Sequence, residues 1–452
     1  MSQHLDTKIE ALPLEKRSLG MPSIFAIWFA CNLVTTTMLT GMLFIPGLSF
    51  AAAMKAIIFG CIVGIIPLML TGLIGQKTGL VTMVACRGAF GHKGTMLPSV
   101  MNIIILTAWS WAQAGLGGLA LNHAVKTLTG FDNPTIWILF LEAFVLAVAL
   151  FAIRGVAMFE RVTMVLIAMI MGAVIYKAAT VTGFDNILAF EAVAEEGLTA
   201  MIAFDIVVAT SLAWTPMSAD YNRNGKSAWG TGTGHTVGYI LGSILSFGSG
   251  VLMIYMLMVD GQEVVYEPSL VFDMIGFGLA GSLVIFMSNA AVNIMNVYSI
   301  SMSFMNMCTK FSYTKVAIVV ALAAATGAVF SGILDVFLHF IGLCGVMWVP
   351  IFGILIADFY VVQKRKYNIN AIINPDKDNT YQYNNGVNLR AVCVFVVAAA
   401  ITFYLTLIEP ISIGATMPGF IIAFLGYILV MKIKPVKYVN TLGNVGSISK
   451  TE

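Results

Sequence analysis

Runs of about twenty apolar residues recur along the whole chain, and a run of that length is what crosses roughly 30 Å of hydrocarbon as a helix. We place spans at 22–48, 52–74, 95–121, 134–153, 162–181, 197–219, 231–259, 269–303, 316–334, 336–357, 390–408 and 414–432. Of 452 residues 59% are hydrophobic and 10% charged, too few charges for a water-soluble surface, where about a quarter is usual. Inside lipid every backbone polar group needs an internal partner, which leaves helices as the structure for runs of this length. The expectation is an all-α polytopic membrane protein with about twelve transmembrane helices.

The charges orient those spans. With the N-terminus cytoplasmic, all but three of the 24 lysines and arginines fall on the inner side. They lie in the tail (Lys8, Lys16, Arg17), in Gly75–Gly94 (Lys77, Arg87, Lys93), and at Arg154 and Arg161. Others are Arg223 and Lys226, Lys310 and Lys315, the 358–389 loop with Arg390 beyond it, and the C-terminal tail. The exceptions are Lys55, Lys126 and Lys177; outer loops are instead acidic or neutral, as at Asp260–Glu263 and Glu195–Glu196. The positive-inside rule then puts both termini in the cytoplasm, with the protein in the cell (inner) plasma membrane. Met1–Leu19 is polar and lacks a signal-peptide core, so it reads as a cytoplasmic tail. Nucleic acid is excluded as a partner because no basic face exists beyond short loops. The six cysteines have no CxxC spacing and read as small hydrophobes. There is no phosphate-binding GxxxxGK[ST], no HExxH and no hydrolase triad, and no room for a nucleotide domain. That argues against an enzyme and against an ATP-driven pump, and no cofactor is implied.

Two spans carry interruptions. The first holds Thr35-Thr-Thr-Met-Leu-Thr-Gly41 and then Pro46-Gly47; the sixth holds Thr210-Ser-Leu-Ala-Trp-Thr-Pro216. Such residues weaken helix continuity, and freed backbone groups in lipid are tolerated only where they line a cavity. First and sixth are corresponding positions in two halves of five spans. Paired breaks of that kind point to a midplane site in an inverted-repeat transporter; Gly and Pro are also simply common in membrane helices. The division is 1–21 tail, 22–181 first repeat, 197–357 second repeat, 358–389 cytoplasmic loop, 390–432 last two spans, and 433–452 tail.

Polar side chains at membrane depth are the candidates for chemistry. Trp109 and Gln113 are four apart on the third span and share a helix face. An indole beside a carboxamide can stack a flat heterocycle and bond its edge, although an interfacial belt Trp and a helix-gluing Gln are the plainer alternatives. On the eighth span Asn289, Asn293 and Asn296 form one stripe, either a polar cavity wall or interhelical hydrogen bonding. Ionisable groups in the spans are Glu142, Asp205, Asp273, His235 and His339, each a possible proton carrier or a group facing water at a span end. Of these, Asp205, Glu142 and Asp273 are the ion-coupling candidates. Asp220 and Asp358, at inner span ends, read as loop anchors.

Several motifs together resemble the nucleobase–cation symporter family of purine/cytosine permeases and their allantoin and hydantoin relatives. They are Ile27-Trp-Phe-Ala-Cys-Asn32, Leu39-Thr-Gly41, Gly75-Gln-Lys-Thr-Gly79, Arg87-Gly-Ala-Phe-Gly91 with Lys93-Gly94, and Leu97-Pro-Ser99. Further on are Trp214-Thr-Pro-Met-Ser-Ala-Asp-Tyr221, Asn293-Ile-Met-Asn-Val-Tyr-Ser299 and Ile356-Ala-Asp-Phe-Tyr360. The Trp214 piece looks most like the branch that includes fungal purine–cytosine permeases. The resemblance implies a LeuT-type fold of five plus five helices with two extra, and a substrate held between spans one, three, six and eight. It implies that Trp109 stacks on the base, Gln113 contacts its edge, Trp214 covers the other side, and Asn296, Asn293 and Asn32 belong to the binding set. Where sodium-coupled members carry two adjacent hydroxyl residues on the eighth span, this chain has Ala291 and Val292. A hard cation wants several oxygens, so the departure favours protons over sodium.

The expected function is a secondary active importer of a nucleobase, cytosine or a purine, driven by a coupling cation through the lipid bilayer. Sodium coupling, or a related heterocycle such as allantoin, hydantoin or a pyrimidine vitamin precursor, is the alternative. A channel is the different-class alternative; it would need a continuous polar pore.

Overall fold

A computed structural model describes residues 9–193, 198–330 and 337–433. The side chains of 152–158, 160–161 and 337–339 fall outside it, which leaves His339, Arg154, Arg161 and the Glu195–Glu196 loop without a side-chain account. The first half comprises α1 (Met21–Ala30), α2 (Thr35–Met42), α3 (Phe50–Thr78), α4 (Thr82–Phe90), α5 (Met96–Thr129), α6 (Pro134–Ala149), α7 (Ala152–Lys177) and α8 (Phe184–Ala189). The second comprises α9 (Ala200–Ala213), α10 (Thr215–Asn222), α11 (Ala228–Val259), α12 (Pro268–Met274), α13 (Gly278–Met307), α14 (Tyr313–Phe330) and α15 (Phe337–Ile356). Then come α16 (Ile369–Ile373), α17 (Leu389–Phe403) and α18 (Thr416–Ile433).

Among the described residues nine helices are long and apolar enough to cross a membrane, or eleven when each of two bent pairs counts as one span. The 16-residue α6 is a shorter apolar helix in the place of the fourth expected span. The order of elements repeats: a bent pair, a long helix, a short helix, a long helix. Several boundaries differ from expectation, two of them in kind. Gly276, at φ 82°, turns the chain and separates α12 from α13, so 269–303 is not one helix. Gly75–Gly94 is not a plain loop but contains α4, buried throughout.

The bent pairs break where local chemistry allows. α1 and α2 meet at 52° across Cys31–Val34, just before the threonine-rich stretch, which is itself helical. α9 and α10 meet at 42° at Trp214, and Pro216 occupies the first turn of α10, where a missing N–H costs nothing.

Each pair is seated by glycines of a helix from the other half. On α11, a Cβ at Gly234, Gly238 or Gly242 would come within 2.7, 2.6 and 2.5 Å of the carbonyl oxygens of Met21, Phe25 and Phe29 on α1. On α3, a Cβ at Gly60 would lie 2.7 Å from Val207, and one at Gly75 would lie 2.5 Å from the Ala219 oxygen. In lipid, where apolar burial gives helices little reason to associate, such close approach supplies the packing.

The face that carries the α3–α4 and α10–α11 turns is tied together through α4. Asp220 of α10 accepts from the Thr82 backbone N–H at 2.7 Å and its hydroxyl at 2.8 Å. Arg87 donates to the carbonyls of Ile372 (3.0 Å) and Asn306 (2.9 Å), and Asp358 accepts from Tyr367 and Tyr427. The two aspartates thus anchor loops, as expected. His92 lies 2.8 Å from the Ile372 carbonyl, and burial, then Arg87, pulls its pKa down to about 4. The neutral ring therefore belongs to the folded state. Its contribution is complete above about 6.5, the ordinary histidine value, and fades as the pH falls toward 4. Hydrogen exchange in 366–388, corrected for intrinsic rates, is expected to rise over that window, and His92→Gln is expected to remove the dependence.

Candidate functional site

A cavity of about 600 Å³, counting its open mouth, lies where both bent pairs meet α5, α13 and α15. From α5, Leu106, Trp109 and Gln113 face it, the spacing of three and four placing them on one stripe. α2 contributes Thr36, Thr37 and Thr40. The α9–α10 break contributes Thr210, Trp214 and Met217, and α13 contributes Val292 and Asn296. The break matters because it brings Trp214, the joint residue of the pair, to the cavity.

The wall combines flat aromatic surface with unsatisfied amides. The Trp109 ring packs edge-on against Phe340 at 5.1 Å, which sets its plane. Gln113 and Asn296 are each 1% exposed; Gln113 Oε1 and Asn296 Nδ2 have no protein partner among the described residues. A buried amide group left unbonded costs about 1–3 kcal/mol, so these two are groups poised to bond something else. Each amide offers a donor and an acceptor.

Of the candidates named from sequence, the cavity brings together Trp109, Gln113, Trp214 and Asn296. It does not include Asn293, whose amide donates to Glu142 Oε1 at 2.5 Å on α6, nor Asn32, whose amide N–H donates to the Trp28 carbonyl at 3.0 Å beside the α1–α2 break. The three acidic candidates also separate. Asp205 accepts from the Thr416 backbone N–H at 3.2 Å and its hydroxyl at 3.0 Å, capping α18. Asp273 is an exposed residue at the end of α12, 3.8 Å from His123. Glu142 is 3% exposed. His235 lies apart from the cavity, stacked on Trp28 at 3.8 Å and bonded to Asn222.

Sequence reasoning missed the α15 wall, Ile341 and Cys344, and the inward role of Thr36, Thr37 and Thr40. Apolar residues on an apolar helix carry no signal; the threonines did, but as a helix weakness rather than as hydroxyls on one face. At the positions noted for sodium-coupled relatives, Val292 presents an apolar side chain to the cavity and Ala291 is buried.

The chain is 24% identical over 407 residues to the hydantoin permease of Microbacterium maritypicum, covering 86% of this chain and 82% of that protein. It is 25% identical over 442 residues to a candidate allantoin permease of Escherichia coli (strain K12), covering 90% of each. Its fold matches that of Mhp1, a nucleobase-cation-symport-1 family transporter solved in a closed conformation with bromovinylhydantoin bound. The TM-score is 0.78 at 22% identity, over 95% of this chain and 94% of that one. The architecture is thus the LeuT-type transporter fold expected from the sequence. Residues 11–431 match the family model for permeases of cytosine/purines, uracil, thiamine and allantoin, and the chain belongs to that family.

Proposed function

We propose that this permease imports a planar nucleobase, cytosine or a purine, by alternating access driven by a proton gradient. The observation that carries this is the pairing of two indoles, Trp109 and Trp214, with two unpartnered amides, Gln113 and Asn296, in one cavity at the joint of two bent helices. Indole faces stack any flat ring, and amides match the mixed donor and acceptor edges of a base. The halves 22–181 and 197–357 act as inverted repeats, and the bent pairs are the moving part between them. Both termini face the cytoplasm, so import runs toward them. The hydroxyl-free pair Ala291 and Val292 supports protons, with sodium the alternative. A cyclic ureide is the second reading for the cargo, favoured by the hydantoin and allantoin permeases among the relatives.

Uptake of radiolabelled cytosine, adenine, hypoxanthine, allantoin and hydantoin into proteoliposomes, under imposed proton or sodium gradients, tests the reading. At least one base is expected to accumulate under a proton gradient alone; if none moves or competes, the substrate assignment fails. Asn296→Ala is expected to weaken binding of that base about tenfold to a hundredfold, the worth of one or two hydrogen bonds in a desolvated site.

A further inference from the structure

We propose that Glu142 carries the driving proton, taking it up and releasing it once per cycle, and that the Asn293 amide passes its state to α13. The proposal rests on the proton-coupled reading above.

Glu142 sits mid-way along α6 and faces its neighbours rather than lipid: the adjacent Leu141 packs on Gly117, one turn of α5 from Gln113. A carboxylate at this depth is expensive unless a cation pairs with it. Among the described residues none does. The elements packed on α6 are α5, α7, α13 and α14. His123 and Lys126 lie at the far end of α5, with Asp273 and Asp132. Lys177, at the end of α7, bonds the Ile275 carbonyl; Tyr298 of α13 receives Arg223; Tyr313 of α14 bonds the Ala149 carbonyl. Arg154, Glu160 and Arg161 of α7 lie outside the described side chains.

What Glu142 meets is a surplus of acceptors: its own Oε2 and the Oδ1 of its partner Asn293 are both buried and both without a partner among the described residues. One added proton relieves that imbalance directly, because a carboxylic acid has an O–H to donate where a carboxylate only accepts. As the carboxylate, Glu142 accepts from Asn293 Nδ2. As the acid, it donates to Asn293 Oδ1 after a half-turn of the amide. The contact survives in both states with its direction reversed, and nothing but the proton is exchanged with water. α13 is placed to use this: one turn away Asn289 donates to the Thr35 hydroxyl at 2.8 Å, at the start of α2, and Asn296 lines the cavity.

The test uses the full chain in liposomes. Difference infrared spectroscopy across pH is expected to show a protonated-carboxylic-acid band that titrates and is absent in Glu142→Gln; a band unchanged in that variant overturns the proposal, whatever the cargo. With tritiated cytosine or hypoxanthine, Glu142→Gln is expected to lose proton-driven accumulation at least about tenfold while counterflow stays within about twofold of the parent. Parental accumulation in Glu142→Gln, or parental uptake driven by sodium and indifferent to pH, overturns it. If neither base binds the parent protein, the substrate reading fails while the infrared titration still decides Glu142. Should Glu142→Gln not fold, Glu142→Asp decides: a shifted pH profile of uptake supports the proposal, and an unshifted one overturns it.

Discussion

Trp109→Ala is expected to abolish uptake of the transported base while leaving the amount of folded protein in the membrane near that of the parent. The indole lines the cavity and is half-buried, held by an edge contact to Phe340. A base stacked on an aromatic face gains about 1–3 kcal/mol. Its loss raises the dissociation constant by roughly five- to 150-fold at 1.4 kcal/mol per decade. Stability is expected to change less, because the wall the ring leaves is already cavity. Trp109→Phe, which keeps a face, is expected to retain part of the affinity. Equilibrium binding measured beside detergent-solubilised yield checks both halves of the statement. If Trp109→Ala instead loses folded protein, the indole is a packing residue and the stacking role is wrong.

The second large effect is expected at Gly238. A Cβ there would lie 2.6 Å from the Phe25 carbonyl oxygen and 3.1 Å from the Phe29 N–H nitrogen. Both are backbone atoms, so no side chain can swing aside; α1 itself must move. Overpacking of this kind costs about 1–3 kcal/mol or more, against a helix-propensity gain for alanine of roughly 1 kcal/mol. Gly238→Ala is therefore expected to lower the melting temperature in detergent and the monodisperse fraction. Gly248, ten residues along the same helix, is the control: its nearest neighbour to an added Cβ would be the flexible Met54 side chain at 3.5 Å. Gly248→Ala is expected to be neutral or slightly stabilising. Equal effects at the two positions would refute the close-approach account.

Much of this molecule is legible from the chain because lipid imposes strong rules. Apolar runs locate the spans, and the four-residue step from Trp109 to Gln113 is enough to put both on one face. The eighth-span amides show where such reasoning stops. At about 100° per residue, Asn289 and Asn296 are nearly in line, while Asn293 is roughly 40–60° away. That offset is wide enough to turn it from the cavity toward Glu142. Periodicity finds the stripe but not which neighbour each member meets. Asp205 shows the same limit: its partner, the start of α18, is 211 positions along the chain. Tertiary pairing at that distance leaves no local mark, and neither does the α15 wall.

The reciprocal seating of the bent helices bears on how the protein is made. α1 and α2 rest on α11, and α9 and α10 rest on α3. While the ribosome has delivered only the first half, the glycine groove of α3 is uncovered and the opening pair of helices lacks its α11 seat. Quality control therefore meets an unfinished binding site for more than half of synthesis, and a truncated chain ending before residue 228 has nothing with which to close it.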